Sequence, residues 1–255
     1  GDKVLWSHTA PGQGRIEQIL TRHSLLMRHA RSGKTRPVAA NIDMVDVIFA
    51  MEPHYDCLLI DQYLAICENS NFKAALVLNK ADLPLTEEAE NDFAVYDDLG
   101  YPLYRVSVKT GMGLDQLNQA LQNQVSIFTG QSGVGKSSLT NVFIPDKEIK
   151  INTISASAKL GRHTTTAATL YHIKDGGDLI DSPGVAIFGL ADLSATELAY
   201  GYREFRPLIG HCQFNDCRHE QDKGCAIRAA VANGTIASSR YHRYLKLKEK
   251  IPLKR

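Results

Sequence analysis

The feature that most constrains this chain is a short glycine-rich loop. Gly130-Gln131-Ser132-Gly133-Val134-Gly135-Lys136-Ser137 matches G-x-x-x-x-G-K-[ST] at every required position. It follows an apolar run, Val125-Ser126-Ile127-Phe128-Thr129, and opens a helical pattern. Its glycines let successive backbone N–H groups curl around phosphates. Lys136 reaches the terminal phosphates, and the Ser137 hydroxyl ligates magnesium. Such a loop belongs at the carboxyl end of a strand in an α/β sheet. The flanking pattern agrees: short apolar runs at Met44–Ala50, Lys73–Leu78, Tyr104–Ser107, Thr169–Ile173 and Asp178–Ile180 alternate with helical spacing over Asp56–Asn69, Glu87–Leu99 and Gly113–Asn123. Continuous apolar strands alternating with helices predict a parallel sheet covered on both faces.

The phosphate loop does not choose its base. Asn79-Lys80-Ala81-Asp82 does, placed after the strand that ends at Leu78. A carboxylate at Asp82 accepts both the ring N–H and the exocyclic amine of guanine. Adenine has no such donor pair and would leave the buried acceptor unpaired. Ser107-Val108-Lys109, after the next strand, has the form of the S-x-K loop that supports the base. Asp181-Ser182-Pro183-Gly184 matches D-x-x-G: Asp181 would hold magnesium through water and the Gly184 N–H would sense the terminal phosphate. Upstream, Gly161-Arg162-His163-Thr164-Thr165-Thr166 offers a threonine to complete the magnesium shell, Thr165 or Thr166 in preference to Thr164. A Thr run is otherwise a β-prone surface strand.

The order of these motifs is informative. The base-reading loops precede the phosphate loop, whereas ordinary GTPases place them after it. The set is complete and circularly permuted, which sends the segment after D-x-x-G out toward the C-terminal region, a plausible wiring for a switch.

That region carries Cys212-x4-Cys217-x-His219-x5-Cys225. Three thiolates and an imidazole with no open position describe a structural zinc site, able to pin a small helical domain short of core. The alternative is packing cysteines without metal, the reading given to Cys57 and Cys67. The overall net charge of +1 hides an asymmetry. Residues 1–36 carry seven basic side chains against two acidic, residues 240–255 seven against one, and the body between stands at −10. Two basic ends predict contact with a polyanion, or two solvated surfaces. No stretch reaches the length of a membrane helix and no secretory signal is visible. The expectation is a cytoplasmic protein away from membranes, and nothing points to an obligate dimer, so a monomer is expected.

Three segments follow from this reading: a basic, β-containing piece (1–36), a permuted GTPase domain (37–193) and a helical zinc-binding domain with a basic tail (194–255). Ser32–Pro37 reads as a loop between the first two.

Together the permuted order, the loop Gly130–Ser138, the His163–Thr166 segment, Asp181–Gly184 and the trailing Cys/His cluster resemble the RsgA/YjeQ family of bacterial circularly permuted GTPases. The resemblance covers about residues 37–235. It implies GTP hydrolysis stimulated by the small ribosomal subunit, a role in late maturation of that subunit, and an N-terminal OB-fold barrel that binds RNA. It adds Ser138 to the phosphate loop. Residues 1–36 are shorter than the family's barrel, so a partial OB-like piece is expected, with Trp6 as either a base-stacking or a core residue.

Many GTPases place a glutamine after D-x-x-G to orient water. Val185 stands here and cannot hydrogen-bond, so intrinsic hydrolysis should be slow. His163, in the phosphate-facing segment, is the candidate for positioning water beside Lys136; its alternative role is packing the loop. A competing reading is a non-ribosomal GTPase, such as a metallochaperone whose Cys/His cluster hands on a metal. A third is an RNA-binding module that uses nucleotide only for stability.

Overall fold

The computed structural model describes residues 1–29, 35–70, 72–144, 168–181 and 193–251. His163, Thr164, Thr165, Thr166 and Gly184, and the polar stretch before them, lie outside the described residues.

The N-terminal part is two antiparallel hairpins. β1 (Val4–Ala10) pairs with β2 (Gln13–Ile19) around a tight turn at Pro11-Gly12, where Gly12 takes a φ of +72°. β3 (Leu25–His29) pairs with β4 (Thr35–Ala40). The loop expected over 32–37 therefore gives way to strand from Thr35 onward. Pro37 is tolerated because a register irregularity between Leu26 and Met27 falls opposite it, the kind of place where a residue without an N–H fits a sheet. β4 runs across position 36, so no loop separates residues 36 and 37. Trp6 is 60% exposed, with the His8 ring 5.7 Å away, and is not a core residue.

The central sheet has the order β7-β6-β5-β8-β10-β9. Its strands are β5 (Met44–Phe49), β6 (Lys73–Leu78), β7 (Leu103–Arg105), β8 (Val125–Gly130), β9 (Thr169–His172) and β10 (Asp178–Asp181). Neighbours pair in parallel up to β10, but β9 is antiparallel to β10. That corrects the all-parallel expectation. Ile173–Gly177 is too short a connection for a crossover, so the two strands form a hairpin closed by Gly176 and Gly177 at φ of +101° and +90°.

Strand alternation sends Val45, Val47, Phe49, Leu76 and Leu78 to one face and Ile48, Val77 and Phe128 to the other. The first face is covered by α1 (Cys57–Asn69) and α2 (Glu87–Asp98), the second by α3 (Leu114–Leu121) and α4 (Lys136–Phe143). α1 starts where the Asp56 carboxylate accepts from the N–H groups of Leu58 and Leu59 at 2.8 and 3.3 Å, satisfying two of the donors a helix start leaves open.

After residue 193 the described chain is helical: α5 (Ala195–Tyr200), opened by a Ser194–Glu197 capping box, a 3-10 turn (Arg203–Leu208), α6 (Ala226–Ala232) and α7 (Ser238–Glu249). Its apolar residues Leu198, Tyr202, Phe205, Ile227, Tyr244 and Leu247 continue the core of the first sheet face, with Tyr202, Phe205 and Tyr244 also packed ring against ring.

This docking corrects the reading of the basic C-terminal end for Arg240, Arg243 and Lys248, while Lys246 and Lys250 stay exposed. Arg240 is 1% exposed; its Nη1 donates to Asp61 Oδ1 at 2.6 Å and its Nε to Glu204 Oε1 at 2.8 Å. Arg243 Nε donates to Asp61 Oδ2 at 2.6 Å, and Lys248 pairs with Glu220 at 2.7 Å. Tyr241 and Tyr244 are buried. These groups hold the fold together and do not face an external polyanion. No helix among the described residues is long and apolar enough to cross a membrane.

Candidate nucleotide and metal sites

The phosphate loop leaves β8 at Gly130, whose φ is +131°; a Cβ there would stand 1.9 Å from the Ile48 carbonyl oxygen of the neighbouring strand. Gly135, at φ +93°, would put a Cβ 2.2 Å from Asn79 Nδ2. These glycines are required by close backbone approach and by left-handed conformation. Val134 is buried beneath the loop, while Ser132, Gly133, Ser137 and Ser138 are exposed above it. Ser137 and Ser138 lie in the first turn of α4, where free N–H groups and the helix dipole favour an anion. Lys136 Nζ donates to the Gly130 carbonyl at 2.8 Å and to that of Gln131. Burial pushes its pKa below the ordinary lysine value. A terminal phosphate would restore the lost charge compensation.

The base-reading loop is laced to the phosphate loop. Asn79 is buried and donates from Nδ2 to the Val134 carbonyl at 2.9 Å. Lys80, at φ +58°, donates from Nζ to the Gly133 carbonyl at 3.1 Å and the Glu52 carbonyl at 2.5 Å. Ala81 N–H donates to the Val106 carbonyl at 3.0 Å, which ties the same loop to the strand leading into Ser107-Val108-Lys109. Ser107 Oγ donates to Asp82 Oδ1 at 2.6 Å, and Lys109 Nζ stands 3.7 Å from Asp82 Oδ2. The Ser107 hydrogen bond, aided by Lys109, holds the Asp82 carboxyl below the usual carboxylate range. Asp82 is thus anionic at neutral pH, the state that accepts two guanine donors. Substituting Asp82→Asn replaces one acceptor with a donor. GTP affinity should fall about 30- to 100-fold, the size of a charged hydrogen bond lost. Xanthosine triphosphate, which presents an acceptor there, should be bound better by the variant; competition with a fluorescent nucleotide checks both.

Asp181 ends β10, half-buried, one residue past the Ile180–Ile127 register with β8. The sheet therefore brings it to the same edge as the phosphate loop. Sequence reasoning missed one wall of this site. The loop after β5 passes against Gly133: Pro53 would lie 3.5 Å from a Cβ there, and Glu52 supplies the second carbonyl for Lys80. The only signal was a proline in a loop at the carboxyl end of a strand.

Cys212, Cys217, His219 and Cys225 converge, with donor atoms all within 4.8 Å of one another. Cys212 Sγ lies 4.0 Å from Cys225 Sγ, and His219 Nδ1 3.6 Å from both sulfurs. A tetrahedral zinc ion with ordinary Zn–S and Zn–N bonds sets these edges at about 3.8 and 3.6 Å, so the cluster fits that ion with little adjustment. Its chemistry fits too. Without a cation, burial and the neighbouring thiols push Cys217 up to about 12, while burial and Lys248 lower His219 and keep it a neutral donor. His219 holds a φ of +60°, and its carbonyl accepts from the buried Tyr241 hydroxyl at 2.7 Å, which aims the ring inward.

Fold and site together define a class: a P-loop guanine-nucleotide protein with its motifs in permuted order, joined to a Cys3His module. The family model described as RsgA GTPase matches residues 19–191. The chain is 45% identical over 246 residues to the small ribosomal subunit biogenesis GTPase RsgA of Chromohalobacter salexigens, covering 96% of this chain and 72% of that one. It is 43% identical to the protein of the same name from Pseudomonas aeruginosa, covering 99% and 75%. Among solved structures it resembles YjeQ from Thermotoga maritima (TM-score 0.82, 33% identity, 100% of this chain and 84% of that one). It also resembles YloQ, a circularly permuted GTPase (TM-score 0.74, 27% identity, 100% and 82%). The chain belongs to the RsgA GTPase family.

Proposed function

We propose that this protein is a GTP-hydrolysing switch in late maturation of the small ribosomal subunit, with hydrolysis stimulated by the subunit and its rRNA. The lacing of Asn79 and Lys80 to the phosphate loop, with Asp82 held by Ser107 beside them, is the observation that carries the guanine-nucleotide half of this reading. The name shared by its relatives carries the ribosomal half.

In this reading Gly130–Ser138 cradles the phosphates, Asn79–Asp82 and Ser107–Lys109 hold the base, and Ser137, Asp181 and Thr165 or Thr166 surround magnesium. The ion, when bound, neutralises charge developing on the phosphates. Lys136 shares that task, and His163 positions the attacking water. Gly184 reports the terminal phosphate. Residues 1–36 contribute an OB-like RNA contact, 37–193 the GTPase, and 194–255 a module built on one structural zinc. The protein acts in the cytoplasm as a monomer. The buried positions of Cys225 and His219 favour a resident ion over a transferable one, against a metallochaperone.

The test is GTP turnover with and without purified small subunits, repeated with ATP and at raised salt. Stimulation seen with GTP only and weakened by salt is expected. Under the same stimulation, His163→Ala should lose at least about tenfold in kcat with GTP affinity unchanged. No stimulation of the unmodified protein would overturn the ribosomal reading; equal turnover in the variant would overturn the role of His163.

A further inference from the structure

The C-terminal module is fastened to the GTPase sheet along one edge of α1, at three successive levels. At the first, Asp61 is fully buried and its carboxylate takes hydrogen bonds from Arg240, Arg243 and, at 2.5 Å, the Tyr96 hydroxyl. At the second, Ala65 packs so closely on Gly201 that a Cβ there would meet it at 2.8 Å. At the third, Glu68 pairs with Arg203 and Arg206, both at 2.6 Å, and Asn69 donates to the Glu197 carbonyl at 2.8 Å. Positions 61, 65, 68 and 69 share one helical stripe.

Tyr63 is two residues from Asp61, about 200° around the helix, and faces the sheet. Its buried hydroxyl is set against the Thr129 side chain and the Gly130 backbone, where β8 becomes the phosphate loop. Gly130 is in turn wedged against the Ile48 carbonyl. One capped helix thus touches the module on one side and the root of the phosphate loop on the other.

We propose that α1 is a strut through which engagement of the C-terminal module is felt at the phosphate loop, with Asp61 and Arg243 as its clasp and Tyr63 as the positioning residue at its far side. This route is separate from the chain connection after D-x-x-G. A push on α7 is delivered through a buried ion pair to a rigid helix, which can respond only by moving as a unit. That displaces the Tyr63 hydroxyl relative to Gly130. The inference rests on the reading of this protein as a GTPase stimulated by the small subunit.

The experiment measures kcat and KM for GTP, with and without subunits, for Arg243→Gln, Arg243→Lys, Tyr63→Phe and the Arg243→Gln/Tyr63→Phe double variant. Arg243→Gln is expected to lower the stimulated kcat about tenfold, within the range of coupling between sites. Its intrinsic kcat and KM should stay within about twofold, and Arg243→Lys should restore part of the loss. Tyr63→Phe removes one hydroxyl and leaves the docking face intact, so it reads the strut without threatening the fold. Its stimulated kcat should fall similarly, and the double variant should fall no further than the worse single one, because both lie on one path. Full stimulation of Tyr63→Phe, or additive losses in the double variant, would overturn the strut. If the unmodified protein is not stimulated at all, the ribosomal reading fails instead. The strut is then judged by hydrogen exchange: GTP should alter protection of α7 in the unmodified protein and not in Tyr63→Phe, and an identical response in both sinks it.

Discussion

Removing the metal, or replacing Cys225 by Ala, is expected to unfold the C-terminal module while leaving the nucleotide site able to bind GTP. The module's apolar residues join the core over α1, and its own packed centre is little more than the rings of Tyr202, Phe205 and Tyr244, so the loop from Cys212 to Cys225 depends on the cluster for its order. Three segments meet there: the chain around Cys212, the left-handed turn at His219, and the start of α6, where Cys225 Sγ accepts from the Arg228 N–H at 3.5 Å. The binding free energy of structural zinc in small domains is about 10 kcal/mol or more and appears as folding free energy. Treatment with a strong chelator should therefore erase hydrogen-exchange protection in α6 and α7. The Asn79–Val134 and Lys80–Gly133 contacts do not involve the module, so fluorescent-nucleotide affinity should change by no more than about threefold, under 1 kcal/mol. Subunit stimulation should be lost together with the module. Because thiols must ionise to bind the ion, retention of zinc should weaken as pH falls. Full protection of α7 in protein shown to be metal-free would refute a structural role for the cluster.

The parts of this molecule written as local spacing were legible in its sequence. The phosphate loop, the N-K-x-D loop and the Cys/His cluster each depend on a few residues at fixed separation, and backbone geometry does the rest. The alternation of apolar runs and helical spacing likewise announced the strands and helices of the central sheet. What was not legible depends on distant partners. Arg240 and Arg243 read as part of a solvated basic tail because nothing nearby in sequence neutralises them; their acceptor, Asp61, lies 179 and 182 residues away. A signal did exist at the other end. Asp61 sits among Ile60, Tyr63 and Leu64, all buried, and a carboxylate on an apolar helix face calls for a buried cation. β9 was misjudged in direction because strand patterning carries no sign; the shortness of Ile173–Gly177 was the cue.

Asp46 is a second charge inside an apolar run, and among the described residues no cation pairs with it. It lies at the middle of β5, opposite Ala75 on one neighbouring strand and Phe128 on the other. Its Oδ2 is buried without a hydrogen bond, as is the Ser126 hydroxyl on β8. Burial raises the Asp46 carboxyl to about 7, against the opposing influence of the Ser126 hydroxyl beside it. The unfolded chain ionises this group near the ordinary value of about 3.9. Between those values the native state binds the extra proton, so stability falls as pH rises from about 4 to about 7 and levels off above. Three pK units correspond to about 4 kcal/mol. Asp46→Val removes the ionisable group at similar volume and lets β5 match its neighbours. It should raise stability by about 2–4 kcal/mol at pH 8 and by much less at pH 5, read from urea unfolding at both pH values. An equal gain at the two pH values would show that the carboxyl's charge is not the cost. The position lies in the sheet beneath the phosphate loop, two residues before the Ile48 that faces Gly130. If GTP affinity is unchanged in Asp46→Val while stability rises, the buried carboxyl is a pure liability of the fold. If affinity falls at pH 8 alone, the ionised form also shapes the loop above it.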